Sequence, residues 1–203
     1  MMAGKFNVSS SPHVRDNSST AVIMKDVCIA MIPTLAFGCF QFGISALIVV
    51  ICTVLACVLS EYLYERLMNK PITIGDFSAV VTGLILALNM PPQIPVWMPV
   101  LGGIFAIIVV KQLYGGLGQN FMNPALAARC FLLISFAGAM TNFSSAALKF
   151  DSTSTPTPLG FLRANGIKIA LDQYNLLNIF LGRIPGTIGE VSTVALLIGA
   201  LYL

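Results

Sequence analysis

Long stretches of this chain carry no charge at all. Val27–Ser60 and Phe77–Val110 each run 34 residues without Asp, Glu, Lys, Arg or His, Cys130–Leu148 runs 19, and Val191–Leu203 runs 13. A helix that crosses the hydrocarbon core of a bilayer needs about 20 apolar residues, within a range of about 17–25. Eleven Lys/Arg and eight Asp/Glu make up 9% of the 203 residues, against roughly 25% in a soluble domain. So few charges cannot cover a core of this size with polar surface. A soluble monomer and a disordered chain are excluded. A nucleic-acid binder is excluded too, because a net charge of +3 forms no basic stripe. The pattern predicts an all-α, polytopic integral membrane protein with about six transmembrane helices.

The first long run predicts two helices, at about 21–37 and 44–60, turning on each other near Gly38–Gly43. Lys25 and Asp26 stand at the entrance of the first, able to snorkel or to pair. The second run predicts spans at about 77–90 and 96–112. Between them, Asn89-Met90-Pro91-Pro92-Gln93-Ile94-Pro95 cannot be helical, because proline removes a donor and restricts the residue before it. Only Phe77–Leu88 remains ahead of the break, short for a span. Two readings stay open here. One is a helix broken at membrane depth, tolerated where protein or a water-filled cavity surrounds it and typical of transport folds. The other is a tilted helix ending in a proline-rich exterior turn. A fifth span is expected at about 125–141, and a sixth begins near residue 190 and stops at Leu203 without a polar tail, as a truncated chain would.

Loop charge sets the expected orientation. Lys5, Arg15, Arg66, Lys70 and Lys111 fall on one side, whereas Gly38–Gly43 and Asn89–Trp97 contain no Lys or Arg. By the positive-inside rule residues 1–20 are a cytoplasmic segment, 21–141 hold five helices, and 142–189 form an extracytoplasmic loop. Trp97 then sits at an outer span end as an interface anchor. Residues 1–20 are polar and lack the apolar core of a signal peptide.

Few residues offer chemistry. The five cysteines, Cys28, Cys39, Cys52, Cys57 and Cys130, show no Cys-x-x-Cys spacing for zinc or iron–sulfur ligation, and free buried cysteine packs as a small apolar residue. No metal site is expected, and the single His13 lies in a polar tail. Gly115-Gly116-Leu117-Gly118-Gln119-Asn120-Phe121-Met122-Asn123-Pro124-Ala125 is more specific. Its glycines allow close approach by a helix or a flat ligand. Asn120 and Asn123 would face one way on a shared helical turn, an edge suited to a planar heterocycle, and Asn123 can also cap the helix that Pro124 begins. The glycines do not follow a strand in a soluble unit, so a dinucleotide-binding reading fails. In Asp151–Leu159, Ser/Thr residues held between prolines read either as a linker or as hydroxyl acceptors for a phosphoryl-type group. Neither a catalytic base nor a nucleophile stands out. Glu190, at the outer mouth of a span, and Asp76, at an inner one, are candidates for ion coupling, since ionisable groups at such places are costly and often functional; each could instead be a helix N-terminal charge.

Several of these motifs occur together, in one order. Ser11-Pro12-His13, Asp76-Phe77-Ser78-Ala79-Val80-Val81-Thr82-Gly83-Leu84, Met90-Pro91-Pro92, Lys111–Asn120 with Asn123-Pro124-Ala125, and Gly186-Thr187-Ile188-Gly189-Glu190-Val191-Ser192 span nearly all of residues 9–203. The chain resembles the RnfD/NqrB family of membrane subunits. RnfD belongs to the Rnf complex, the membrane ferredoxin:NAD oxidoreductase, and NqrB to the sodium-translocating quinone reductase. The resemblance implies FMN joined by a phosphoester to the last Thr of a Ser-Gly-Ala-Thr-like motif. The matching stretch is Ser154-Thr155-Pro156-Thr157, so Thr157 is the implied attachment site and Ser154 opens the motif. Thr155-Pro156 departs from the usual middle pair and leaves Thr155 as a second candidate.

The resemblance further implies a non-covalent riboflavin, placed at Asn120 and Asn123, and a bacterial cytoplasmic (inner) membrane location. It implies Na+ or H+ translocation and partner subunits, membrane and peripheral, that carry flavin and iron–sulfur groups and handle NAD and ferredoxin. Family members continue for several more spans, a second half related to the first by inverted topology. A flavin-free solute channel, with Asn123-Pro124-Ala125 in its pore, and a scaffold subunit are the rival classes.

Overall fold

The computed structural model describes residues 19–143, 158–165, 176–182 and 184–203. Among these residues all regular structure is helical. Helix α1 spans Thr20–Phe42, started by Ser19, whose side chain accepts from the Val22 N–H. Helix α2 spans Ile44–Leu67. These two are long and apolar enough to cross a bilayer. The turn between them is not the six-residue stretch Gly38–Gly43 expected from sequence. Gly43 alone breaks the helix, at φ +77°, a conformation that costs glycine little. Gly38 stays inside α1, where a side chain would strike the Ile188 carbonyl. Helix α2 also runs past its expected end at Ser60, because Glu61 and Glu65, one turn apart, find partners on a single buried face.

A 3-10 turn, Ile74–Asp76, leads into α3, Ser78–Leu88. At 11 residues α3 is about 16 Å long, roughly half a bilayer core. The stretch that follows is part buried and part exposed: Gln93 and Pro95 are exposed. Met90, Pro91, Pro92 and Ile94 are buried, and the loop before the last helix closes over them. Ile188 N–H donates to the Met90 carbonyl at 3.1 Å and Gly189 N–H to the Leu88 carbonyl at 2.8 Å. These bonds satisfy two of the carbonyls at the end of α3. The end of α3 is thus partly enclosed by the chain itself, as an interrupted helix requires.

Helix α4, Trp97–Phe105, continues as a π-helical segment, Ala106–Gln112. Then come α5, Pro124–Ser135; α6, Ala137–Met140; α7, Pro158–Asn165; α8, Leu176–Leu181; and α9, Thr193–Tyr202. The expected third to sixth spans are thus represented by helices of 10–16 residues, shorter than a full crossing. Trp97 opens α4 and packs edge-on against Phe136, ring centroids 5.2 Å apart.

Small residues let the helices approach closely, as in other helical membrane proteins. A side chain at Gly83 would come 2.8 Å from the Val54 Cα, one at Gly102 would meet Leu132, and one at Gly199 would strike the Ala30 carbonyl. The last contact sets α9 along α1. At its far end the Tyr202 hydroxyl donates to Asp26 Oδ1 at 3.4 Å, so Asp26 is met by α9. The last helix therefore ends where the first begins. The core lies between α2, α3 and α5, with Ala46, Val49, Val50, Leu86, Ala87, Ala128 and Leu132 in it.

Candidate functional site

Helix α2 exposes many apolar side chains and buries two acids. Ile48, Ile51, Leu55, Leu59 and Leu63 are exposed, whereas Thr53, Ser60, Glu61 and Glu65 are buried. The buried acids meet the two residues that end the π segment. Lys111 Nζ lies 2.6 Å from Glu61 Oε1 and donates to Ser78 Oγ at 2.5 Å. Gln112 Nε2 donates to Glu61 Oε1 at 2.9 Å and to Glu65 Oε1 at 3.2 Å. Thr73 completes the cluster, its hydroxyl on Glu65 Oε1 and its N–H on Glu65 Oε2 at 3.0 Å. Glu61 is fully buried and Lys111 is 2% exposed. Glu61 Oε2 is buried with no hydrogen-bond partner, leaving one acceptor free for a proton or a cation.

Asp76, an ion-coupling candidate from sequence, borders this cluster. Its Oδ1 accepts from the Ser78 N–H at 2.8 Å and from Ser78 Oγ at 2.5 Å, so it caps the first turn of α3. Through Ser78 it is also one hydrogen bond from Lys111. None of Glu61, Glu65, Lys111 and Gln112 is a site candidate from sequence. The signal that could have found them is position: Glu61 and Lys111 are the first charges after the two longest uncharged runs.

A second constellation follows directly. Gly115, Gly116 and Gly118 all have positive φ. A side chain at Gly116 or Gly118 would meet nothing within 4 Å, so open space adjoins this backbone. Asn120 Oδ1 is buried and takes no hydrogen bond. Asn123 is otherwise engaged. It is the N-cap of α5, its Oδ1 accepting from Ala125 N–H at 3.0 Å and Leu126 N–H at 3.3 Å. The two asparagines do not share a helical turn. Asn120 therefore keeps a free oxygen, whereas the Asn123 oxygen is taken by the cap.

A cavity of about 540 Å³ lies between α1, the end of α3, α5 and α9. Its walls are mostly apolar, with Thr34, Asn89, Arg129, Thr187 and Glu190 as its polar groups. Arg129 donates to Asn89 Oδ1 at 2.7 Å, fixing the residue that ends α3. Glu190 is exposed, and its Oε2 accepts from the Thr187 hydroxyl at 3.0 Å. Asp76 and Glu190 are therefore in different places, one in the acid cluster and one on the cavity wall. Ser154, Thr155, Thr157 and His13 lie outside the described residues. All five cysteines are free thiols, and Cys57 is fully buried. No group of three metal-ligating side chains occurs among the described residues.

Apolar side chains turned outward, an ion pair buried between helices and helices crossing at glycines are the marks of a helical membrane protein. The chain belongs to the NQR2, RnfD, RnfE family, whose profile matches residues 7–203. It is 49% identical over 201 residues to the D subunit of the Na(+)-translocating ferredoxin:NAD(+) oxidoreductase complex of Acetobacterium woodii, covering 98% of this chain and 62% of that protein. It is 45% identical over 204 residues to the D subunit of the proton-translocating ferredoxin:NAD(+) oxidoreductase complex of Clostridium ljungdahlii, with the same coverage. To the D subunit of the ion-translocating oxidoreductase complex of Shewanella amazonensis it is 42% identical over 161 residues, 78% of this chain and 45% of the relative. The chain thus spans 45–62% of the length of these relatives.

Proposed function

We propose that this chain is the flavin-carrying membrane part of an ion-translocating ferredoxin:NAD+ oxidoreductase, working with the other membrane and peripheral subunits of an Rnf complex. The observation that carries this reading is the family match over residues 7–203, with relatives of that name aligned to 98% of the chain. One relative is named for sodium and the other for protons, and the reading covers either ion.

Residues 1–20 face the cytoplasm, 21–141 hold the first five membrane helices, and the segment 142–189 lies outside. The sixth helix starts at about residue 190. The meeting of Tyr202 with Asp26 supports this parity, because α9 returns to the end where α1 starts. Thr157, in the Ser154-Thr155-Pro156-Thr157 motif, carries FMN through its phosphate. A second flavin, riboflavin, is held without a covalent bond at Asn120. The unpartnered Asn120 oxygen can accept from a ring N–H, and the bare glycine backbone leaves room for a flat ligand. A bound flavin accepts two electrons together and passes them on singly; the protein sets its position and electrostatics. For the ion, Asp76 at the acid cluster and Glu190 at the cavity are the coupling candidates.

The test is direct. Protein co-expressed with its flavin transferase is run on a denaturing gel and viewed under ultraviolet light. Fluorescence that survives denaturation and disappears in Thr157→Ala is the expected result. A competent preparation with no bound flavin sinks the carrier reading and leaves the channel or scaffold. A fluorescent Thr157→Ala band moves the attachment point to Thr155.

A further inference from the structure

The two residues that end the π segment each hold two structures at once. Lys111 reaches into the acid cluster with its Nζ, while its own carbonyl accepts from the Gly116 N–H at 3.0 Å. Gln112 bonds both acids with Nε2, while its carbonyl accepts from the Gly115 N–H and from Lys70 Nζ, each at 3.3 Å. The Gly116 carbonyl in turn accepts from the Gln119 N–H at 3.3 Å. The next residue is Asn120, with its buried free oxygen. A series of hydrogen bonds and one peptide link therefore runs from Glu61 and Glu65 to Asn120.

Lys111 and Gln112, consecutive at the end of the π segment Ala106–Gln112, both reach the acids of α2. Short π segments recur at functional places. Packing by itself does not call for buried charges here, since apolar side chains of similar volume often serve as well or better.

We propose that Glu61, Glu65, Lys111 and Gln112 are positioning residues, a clamp that fixes the Gly115–Asn120 segment so that the Asn120 oxygen meets the non-covalent flavin. This deepens the reading above and rests on its placement of that flavin at Asn120. The clamp touches neither flavin. It acts by holding the backbone from which the contact is made.

The test uses the full chain in its complex, with Glu61→Leu/Lys111→Met made as a pair so that no charge is stranded, and Gln112→Leu made separately. Three quantities are read: flavin that survives denaturation, flavin released by denaturation together with its midpoint potential, and deuterium uptake across residues 113–122. Covalent flavin stays at the wild-type level. Released flavin falls at least tenfold, or its potential shifts, and the Gly115 and Gly116 amides exchange faster. Asn120→Ala loses released flavin with no change in exchange, which separates the contact from its support. If the paired variant fails to assemble, Gln112→Leu decides, since it removes no charge. Wild-type flavin content and potential in the variants, or unchanged exchange, overturns the clamp alone. A wild-type protein with no releasable flavin overturns the flavin placement, and the clamp with it.

Discussion

Lys111 Nζ sits 2.6 Å from Glu61 Oε1, with both side chains at most 2% exposed and fifty residues apart in the chain. A buried pair of this kind is asymmetric in its energetics. Taking one partner away strands the other charge in a low dielectric, whereas replacing both with apolar side chains is often neutral or stabilising. Lys111→Met alone is therefore expected to cost about 3–5 kcal/mol, and Glu61→Leu/Lys111→Met to recover most of it. Thermal unfolding of the two proteins in one detergent checks this. Equal melting temperatures for the single and paired variants would count against a charged pair at this place.

The crossing of α1 and α9 gives a second prediction. Any side chain at Gly199 runs into the Ala30 carbonyl, which is backbone and cannot swing aside. Gly199→Ala is expected to cost about 1–3 kcal/mol, as overpacking does. Gly138, in the short helix α6, faces open space, and a side-chain carbon added there would meet nothing within 4 Å. Gly138→Ala is expected to gain about 0.5–1 kcal/mol from helix propensity. The same unfolding measurement compares them, and a Gly199→Ala protein at least as stable as wild type would show that α9 does not lie on α1.

How much of this could be read from sequence depended on where the signal lay. The helical class, the helix pair in Val27–Ser60 and the interruption at Met90-Pro91-Pro92 follow from apolar run lengths and proline chemistry, which are local properties. Asn123 as a cap was legible for the same reason, since Asn-Pro at a helix start is a local pattern. The acid cluster was not. Lys111 and Arg66 are each the basic residue in the last turn of an apolar helical segment, yet Arg66 is exposed and Lys111 is buried. That difference arises only when α2 and the π segment are packed together, and the π turn itself has no residue signature. The position of Gly38 inside α1 was hidden likewise, because its partner is Ile188, far along the chain.

Arg129 and Asn89 give a third prediction. Asn89 ends α3 with Nδ2 on the Ile85 carbonyl at 2.8 Å and Oδ1 taking the Arg129 N–H at 2.7 Å. A hydrogen bond to a charged group contributes about 1.5–3 kcal/mol. Arg129→Leu and Asn89→Leu should thus be non-additive, with a coupling of that size in a double-mutant cycle. A coupling near zero would mean that Arg129 does not anchor the end of the broken helix in solution.

The two asparagines of the glycine segment should part company. Asn123 uses its oxygen to cap α5, accepting from Ala125 and Leu126. Asn123→Ala is expected to cost about 1 kcal/mol, and Asn123→Ser, which keeps a capping oxygen, only a few tenths. Asn120 has a buried oxygen that bonds nothing in the chain, so nothing in the fold depends on it. Burying such a group without a partner carries a penalty, about 1–3 kcal/mol by mutational comparison. Asn120→Ala should therefore leave flavin-free protein as stable as wild type or more so. In protein loaded with flavin the order reverses if the Asn120 oxygen is a ligand contact, because a bound ligand stabilises the folded state more the tighter it binds. Melting curves of wild type, Asn120→Ala and Asn123→Ser, each with and without added riboflavin, decide the matter. Riboflavin should raise the melting temperature of wild type and Asn123→Ser and leave Asn120→Ala unmoved; an equal rise in all three removes Asn120 from the flavin site.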